Sequence, residues 1–416
     1  MNQNSKIKDD TNDPAKHSPE GLTRPLEGLK VIELGQLIAG PFAAKILGEF
    51  GADVIKIEPP GGDPLRKWRY MHEGTSVWWA AHARNKRSMT LDLRQPEGQE
   101  VVRQLVGQAD ILIENFRPGQ MEKWGLGYDA LSQINPGLIM LRVSGYGQTG
   151  PYRDRPGFGV IGEAMGGLRY LSGEPGRPPV RVGVSIGDTL SGLHGVIGIM
   201  MALRHREQHG GAGQEIDVAL YESVFNMMES LLPEYSKFGA IRQPSGASMP
   251  GIAPTNAYLC RDGKYALIAG NGDSIFRRLM ALIGRTDLSD DETLADNQGR
   301  ATQADRLDAA IAEWTAQRDL DEVLDDMNRA GVPCGKSYDA ADIASDPHYR
   351  ARDMILKTEL PDGSAIEVPG IVPKLSRTPG DVRRQAPKLG EHTQEILEQL
   401  GIDAATRKDW QSRGII

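Results

Sequence analysis

One acid, Asp188, stands where an apolar, β-branched run gives way to a helical pattern: Arg181-Val-Gly-Val-Ser-Ile-Gly-Asp-Thr-Leu-Ser-Gly-Leu-His194. Apolar residues then recur at Ile197, Met200 and Leu203, a spacing that predicts a helix from about Gly187 to Arg206. An Asp at a helix start accepts hydrogen bonds from the first unpaired N–H groups, and the helix dipole favours its charged form. The residue therefore reads as an N-cap, and also as a carboxylate held ionised and aimed. His194 lies farther along the same helix, about 9 Å down the axis and on an offset face. It is read as a structural histidine rather than an acid/base partner.

Other stretches offer binding chemistry beside ordinary structural explanations. Glu114-Asn-Phe-Arg-Pro-Gly119 follows the apolar strand Ile111-Leu-Ile113, at the carboxyl edge where open α/β sheets bind ligands. Its aromatic ring and cation can seat an adenine and its phosphates, or simply form a capped loop. Ser144-Gly-Tyr-Gly-Gln-Thr-Gly-Pro151, at another strand end, carries the same two readings. The turn-rich Glu58 to Arg66 run can present N–H groups to an anion. Arg66, Lys67 and Arg69 around Trp68, and Arg84-Asn-Lys-Arg87, supply charge suited to phosphates or to solvated surface. The Gly35 to Pro41 loop lacks G-x-G-x-x-G spacing, so NAD is set aside. Cys260 and Cys334 lie far apart, without disulfide or metal-ligand spacing, and no metal is expected. Cys334 has no nearby His or helix start to lower its pKa, and Gly331-Val-Pro-Cys-Gly335 reads as a turn.

These residues must be positioned by a chain of 416 residues, long enough for two domains. Residues 1–24 are polar and read as a flexible tail. Strands at Gly28–Leu34, Val54–Glu58, Ser88–Leu93, Ile111–Ile113 and Leu138–Val143 alternate with helices near 42–50, 96–107 and 121–134, predicting an open, mostly parallel α/β sheet. A second helix is expected at 219–232, and 216–218 is a short strand at most. The large domain is assigned to 25–232, completed by 345–416. Residues 233–254 read as a linker or loop and 255–344 as a smaller α+β domain. There, a hairpin turns at Asp262-Gly263 and helices follow at 274–283, 301–316 and 320–330. Strands are expected across 359–372 and a last helix at 393–400. A net charge of -8 argues against nucleic-acid and anionic-membrane surfaces. No wholly apolar run reaches the ~18 residues of a membrane span, and a cytoplasmic location is expected.

Taken in order, the motifs resemble class III coenzyme A transferases, the family of formyl-CoA, carnitine and dicarboxylate CoA-transferases, with the α-methylacyl-CoA racemases as relatives. The likeness spans about Pro25 to Leu400. It is carried by Gly28-Leu-Lys-Val-Ile-Glu-Leu, Ala39-Gly-Pro, Gly51-Ala-Asp-Val-Ile-Lys-Ile-Glu, Asn85-Lys-Arg-Ser, Glu114-Asn-Phe-Arg-Pro-Gly, Gly145-Tyr-Gly-Gln-Thr-Gly-Pro, Gly187-Asp188, Gly331-Val-Pro-Cys-Gly and Leu389-Gly-Glu-His-Thr. The resemblance implies a Rossmann-like large domain, an interlocked homodimer and Asp188 as nucleophile. It implies that coenzyme A, a substrate rather than a resident cofactor, is contacted at Ile38, Ala39, Leu91, Asp92, Leu93, Arg94, Asn115, Phe116, Arg117, Lys123, Arg155, Gly157 and Phe158. Two positions depart from the family: Ile38 stands where a glutamine is usual, and Pro59 where a CoA-contacting arginine is usual. Arg66 or Arg69 is the expected substitute.

The chemistry so implied is attack by a carboxylate on an acyl-CoA thioester, for which a helix start supplies charge stabilisation and oxyanion donors. Small residues must let the acyl group approach, and Gly183, Gly187, Gly192 and the Ser245–Gly251 loop are the candidates. Racemisation would need an acid and a base on opposite faces of the substrate carbon. Residues 153–172, where the racemase histidine would fall, contain no His. A non-catalytic acyl-CoA-binding protein is the third reading. Arg155, Arg169 and Arg181 suit a second carboxylate, pointing to a short dicarboxylate such as oxalate, glutarate or a succinate relative.

Overall fold

A computed structural model of the protein describes residues 24–416. The expected 1–24 tail thus lies outside the described residues except for Arg24. That residue is anchored, its guanidinium donating to both Asp381 carboxylate oxygens at 3.1 and 2.7 Å.

Six strands build the main sheet: β1 (Lys30–Glu33), β2 (Asp53–Glu58), β3 (Lys86–Thr90), β4 (Ile111–Glu114), β5 (Ile139–Ser144) and β6 (Glu215–Ala219). All pair in parallel, in the spatial order β3-β2-β1-β4-β5-β6. That is the order of doubly wound nucleotide-binding sheets, and it reverses direction between β1 and β4. Successive side chains alternate between faces. Val31, Ile113 and Leu141 therefore pack with Ala43 and Leu47 of α1 (Ala39–Glu49) on one face. Ile32, Leu112 and Met140 pack with Val101 and Leu105 of α2 (Pro96–Val106) on the other.

Two further helices matter for the site, α3 (Gly159–Met165) and α4 (Ile186–Gln208). The C-terminal segment completes the α2 face with Ile396, Leu397 and Ile415. It is pinned to β3 where His392 N–H donates to Ser88 O at 2.9 Å and Thr90 N–H to Thr393 Oγ1 at 3.0 Å.

The described residues divide into two compact units, one of residues 24–159, 187–223 and 353–416 and another of 160–186 and 224–352. The second unit has its own antiparallel sheet, with β8 (Tyr265–Ala269) between β7 (Thr255–Leu259) and β9 (Cys334–Lys336). Helices Asp273–Leu282, Ala304–Thr315 and Leu320–Arg329 cover it through Phe276, Leu279, Ile311 and Val323.

The structure corrects several expectations. Residues 160–186, 224–232 and 345–352, assigned to the large domain, and 233–254, assigned to a linker, all group with the smaller unit. Helix Leu231–Phe238 occupies part of that expected linker. The 121–134 helix is two helices, broken where Gly125 takes φ +65°, and the 219–232 helix breaks near Glu229 at φ +50°. Residues 216–218 belong to a full sheet strand, β6. Cys334 is in a strand, not a turn, because Gly331 at φ +67° reverses the chain before it and Ile268 pairs with it. A final helix, Ala404–Ser412, lies beyond those expected. Helix α4 is long and apolar enough to cross a membrane by length and composition. Its buried stripe of Gly192, Gly195, Ile199, Ala202 and Leu203 is used against the main sheet and α1.

Candidate active site

Asp188 is the third residue of α4, inside the first turn rather than at the N-cap, and is half-buried. It heads the stripe Asp188, Gly192, Gly195 and Ile199, positions that recur on one helical face. That face is pressed onto the sheet at close range. A Cβ on Gly192 would lie 2.9 Å from Ala39 O, and one on Gly195 would collide with Leu141. The stripe therefore directs Asp188 along the carboxyl edge, toward the head of α1. Its carboxylate rests on the backbone of Gly159, where an added Cβ would strike Oδ2 and lie 2.9 Å from Cγ. Gly159 is thus the residue whose missing side chain admits the acid. Gly192 serves packing on α1, and Gly183 is exposed.

The segment carrying Gly159 is itself seated by glycine. Gly145, after β5, and Gly157 touch backbone to backbone, each missing Cβ lying 2.8 Å from the other's Cα. Tyr146 stands beside them, its ring 6.0 Å from Tyr152 and 6.4 Å from Tyr221. His194 is turned to its own helix, its Nδ1 3.0 Å from Leu190 O. Cys260 and Cys334 are free, and burial raises the pKa of both thiols.

Six of the anticipated CoA contacts lie in the segments that follow β1 and β4, the two strands at the order reversal. Ile38 and Ala39 are buried at the start of α1, which has no side-chain cap and no acid in its first turn. Its positive end is left for an anion. Across from them stand Asn115, Phe116 and the exposed Arg117 and Lys123. The Asn115 amide is committed to Gln36, accepting from its N–H at 2.7 Å and donating to its carbonyl at 2.8 Å. Phe116 meets Trp124 edge-on at 5.2 Å. Below them the Glu114 carboxylate takes the Phe116 N–H at 2.7 Å and Arg142 Nε at 2.7 Å. Burial pushes its pKa up to about 7 against the pull of Arg142.

The remaining contacts are dispersed. Residues 91–94 follow β3, two strands from β1 and so about 10 Å away at ordinary strand spacing. Leu91 and Leu93 point into the core, leaving only their backbone for a ligand, and Asp92 is held by Arg94 at 2.8 Å. The Arg94 side chain is exposed. Gly157 lies against Gly145, Phe158 is exposed, and the Arg155 guanidinium stacks 3.5 Å from the Tyr152 ring centre. Of the substitutes for the arginine missing at Pro59, Arg66 is occupied. It forks onto Glu58 at 2.7 and 2.8 Å and stacks on Trp79 at 3.8 Å. Arg69, exposed over Trp78 at 5.2 Å, is the better placed.

In the smaller unit, Arg169 pairs with buried Glu163 at 3.2 Å and Arg181 reaches Ser185 at 3.1 Å. The Ser245–Gly251 loop is closed by reciprocal Ser245 and Ser248 hydroxyl–carbonyl bonds at 2.8 and 2.9 Å and tied to Gly173 O through Gly246 N–H.

What sequence reasoning missed lies under the β1 loop. Lys56 reaches Glu33 at 2.9 Å and Asp63 at 2.8 Å, and Lys86 reaches Glu33 at 2.7 Å, all four side chains being buried. The signal is there: Glu33 and Lys56 interrupt the apolar runs Val-Ile-Glu-Leu and Val-Ile-Lys-Ile.

A doubly wound sheet with an uncapped helix at its switch point has the form of an α/β domain suited to an anionic ligand at its carboxyl edge. The chain belongs to CoA-transferase family III, whose model matches residues 26–393. It is 48% identical over 379 residues to the succinyl-CoA–D-citramalate CoA-transferase of Chloroflexus aurantiacus, covering 91% of this chain and 94% of that one. It is 44% identical to the β subunit of succinyl-CoA–L-malate CoA-transferase from the same organism, over 95% of this chain and 98% of that one. The crystal structure of a CAIB/BAIF family protein from Brucella suis superposes with a TM-score of 0.80 at 38% identity, covering 91% of this chain and 100% of that one. The protein is a CoA-transferase, moving coenzyme A from an acyl-CoA thioester to a carboxylic acid.

Proposed function

We propose that Asp188 is the nucleophile, and that the acids exchanged are short dicarboxylates with succinyl-CoA as donor. The observation that carries this reading is the contact of the Asp188 carboxylate with Gly159, at the carboxyl edge of the sheet and in the first turn of α4. The Asp188 oxygen attacks the thioester carbonyl, the C–S bond breaks, and a mixed anhydride and CoA thiolate form. The thiolate attacks the aspartyl carbonyl of that anhydride, releasing the donor acid and leaving an aspartyl-CoA thioester. The acceptor carboxylate reverses the sequence, and Asp188 is regenerated. Helix-start amides stabilise charge developing on the carbonyl oxygens.

CoA lies along the carboxyl edge, its phosphates met by the head of α1 and by Arg117, Lys123, Arg94 and Arg69. Arg155, whose guanidinium stacks on a tyrosine ring, takes the far carboxylate of the acid. The acids named for the relatives, D-citramalate and L-malate, support a dicarboxylate acceptor. The exposed Leu193, Ile197, Met200 and Met201 on α4 support burial of that face by a second copy in an interlocked homodimer of the cytoplasm. Incubation with succinyl-CoA and hydroxylamine, followed by peptide mass spectrometry, tests the mechanism. A hydroxamate at Asp188 is the expected result, and its absence sinks the proposal. A panel of acids decides the acceptor.

A further inference from the structure

After β1, residues 35–38 have no regular structure and 39–41 form the first turn of α1, and buried side chains bond the backbone of this 35–41 segment. Lys56 Nζ donates to Gly35 O. Leu37 N–H donates to Asp63 at 3.1 Å, with Leu37 at φ +64°, a conformation a branched side chain rarely adopts. His82 Nε2 lies 3.2 Å from Ile38 O, and Lys86 Nζ donates to Pro41 O at 2.8 Å. Glu33 sits between Lys56 and Lys86 and balances the two lysines together with Asp63.

Two cations and two anions buried together are an expensive way to fill a core. Apolar side chains of the same volume hold a sheet as well or better. What apolar side chains cannot do is bond Gly35 O, Leu37 N–H and Pro41 O. Burial works against the charge on Lys56, but Glu33 and Asp63 outweigh it and keep the amine protonated. Burial holds His82 neutral, with its pKa down to about 3, and the tautomer with its proton on Nε2 donates to Ile38 O.

We propose that Lys56, Asp63, Lys86 and His82 are positioning residues that preset the 35–41 loop for coenzyme A, with Glu33 as the counter-ion that keeps both lysines in place. The proposal rests on the reading that this loop lines the CoA site. Its energetic logic is pre-organisation: a loop already in its bound shape costs nothing to order when the substrate arrives. Loss of the preset should weaken binding of substrate and transition state alike, raising KM and sparing kcat.

The test combines kinetics with amide hydrogen exchange on the full-length protein. In the wild type, CoA should slow exchange across residues 35–41. Asp63→Ala without ligand should speed exchange of that segment about tenfold and leave β4 and β5 unchanged. The same variant should raise KM for succinyl-CoA about tenfold, with kcat within about threefold. If it fails to fold, Asp63→Asn, which keeps the shape but loses the charge, is read by the same criteria. A purely structural role would lower kcat with the active fraction and leave KM where it was, which overturns the proposal. Protection by CoA with unchanged loop exchange in the variants overturns the positioning role alone. No protection by CoA in the wild type withdraws the loop from the CoA site, and the proposal with it.

Discussion

The 35–41 loop and the Gly159–Asp188 contact occupy the same carboxyl edge and are built by opposite means. The loop is held by buried charges bonded to its backbone, while Asp188 is held by the absence of side chains at Gly159, Gly192 and Gly195. Charge suits the loop, since residues 35–37, ahead of the first helical turn, need partners for their polar groups. Close packing suits the role proposed for the acid, since a carboxylate that is to attack a carbonyl needs fixed position and open space beside it. The difference teaches where each half should fail if Asp188 is the proposed nucleophile: the Asp188 side in turnover, the loop's side in binding and stability.

The sharpest break is Asp188→Ala. It should lower kcat on the order of 10⁴-fold or more and leave the urea midpoint near wild type, because the side chain heads a packed stripe without being its core. Steady-state transfer between succinyl-CoA and a dicarboxylate measures it. Gly159→Ala comes next. The added methyl meets the Asp188 carboxylate, and displacing a reacting group by about 1 Å costs on the order of 10² in rate. The loss should fall in kcat. A fall in KM-limited rates alone would mean that the carboxylate is not the reacting group.

Lys56→Met attacks the other half. It leaves Glu33 and Asp63 buried without their shared cation, and removing one partner of a buried pair costs about 3–5 kcal/mol, read by urea unfolding. The pH dependence has a definite sign. Burial works against ionising Asp63 and Glu58, yet Lys56 beside the first and Arg66 beside the second hold both carboxyls below their ordinary values. The stability they confer is complete above the ordinary carboxylate range and drains as pH falls through it, below about pH 4. Asp63→Asn should flatten its part of that acid limb in unfolding curves taken at pH 3 to 6.

The same contrast governs how much is legible in the sequence. Sheet strands announce themselves as apolar runs, and their alternation with helices makes the sheet parallel while leaving its 3-2-1-4-5-6 order open. Residues 216–218 read as less than a full strand because a short edge strand carrying Asp217 looks like a turn. Asp188 is legible because it is the only acid between Arg181 and Arg206. Its place inside the first turn is not, since capping and first-turn acids share one sequence signature. Gly159 is hidden: nothing in Gly-Phe-Gly says which glycine will receive a carboxylate from a helix that follows much later in the chain. Lys56 and Glu33 are visible as charges in strands, yet their partners Asp63 and Lys86 come from separate loops and strands. Long-range pairing of that kind is fixed by topology, not by local pattern.

The smallest expected effect belongs to His194→Ala, and it tests whether the Asp188 side depends on a histidine of its own helix. His194 shares α4 with Asp188, and a histidine near an active carboxylate invites an acid/base role. Its ring nitrogen is bonded to Leu190 O within its own helix at 3.0 Å. Removing that bond should cost about 1 kcal/mol of stability, seen as a small shift in the urea midpoint. Turnover should stay within about twofold at every pH, because a carboxylate nucleophile of the kind proposed needs no base. Loss of general acid–base help would instead cost about 10²–10⁴-fold, with a new pH dependence near the histidine range. A kcat that fell so far would make the glycine contacts only part of what holds and activates Asp188. An unchanged kcat removes His194 from the groups that could activate Asp188.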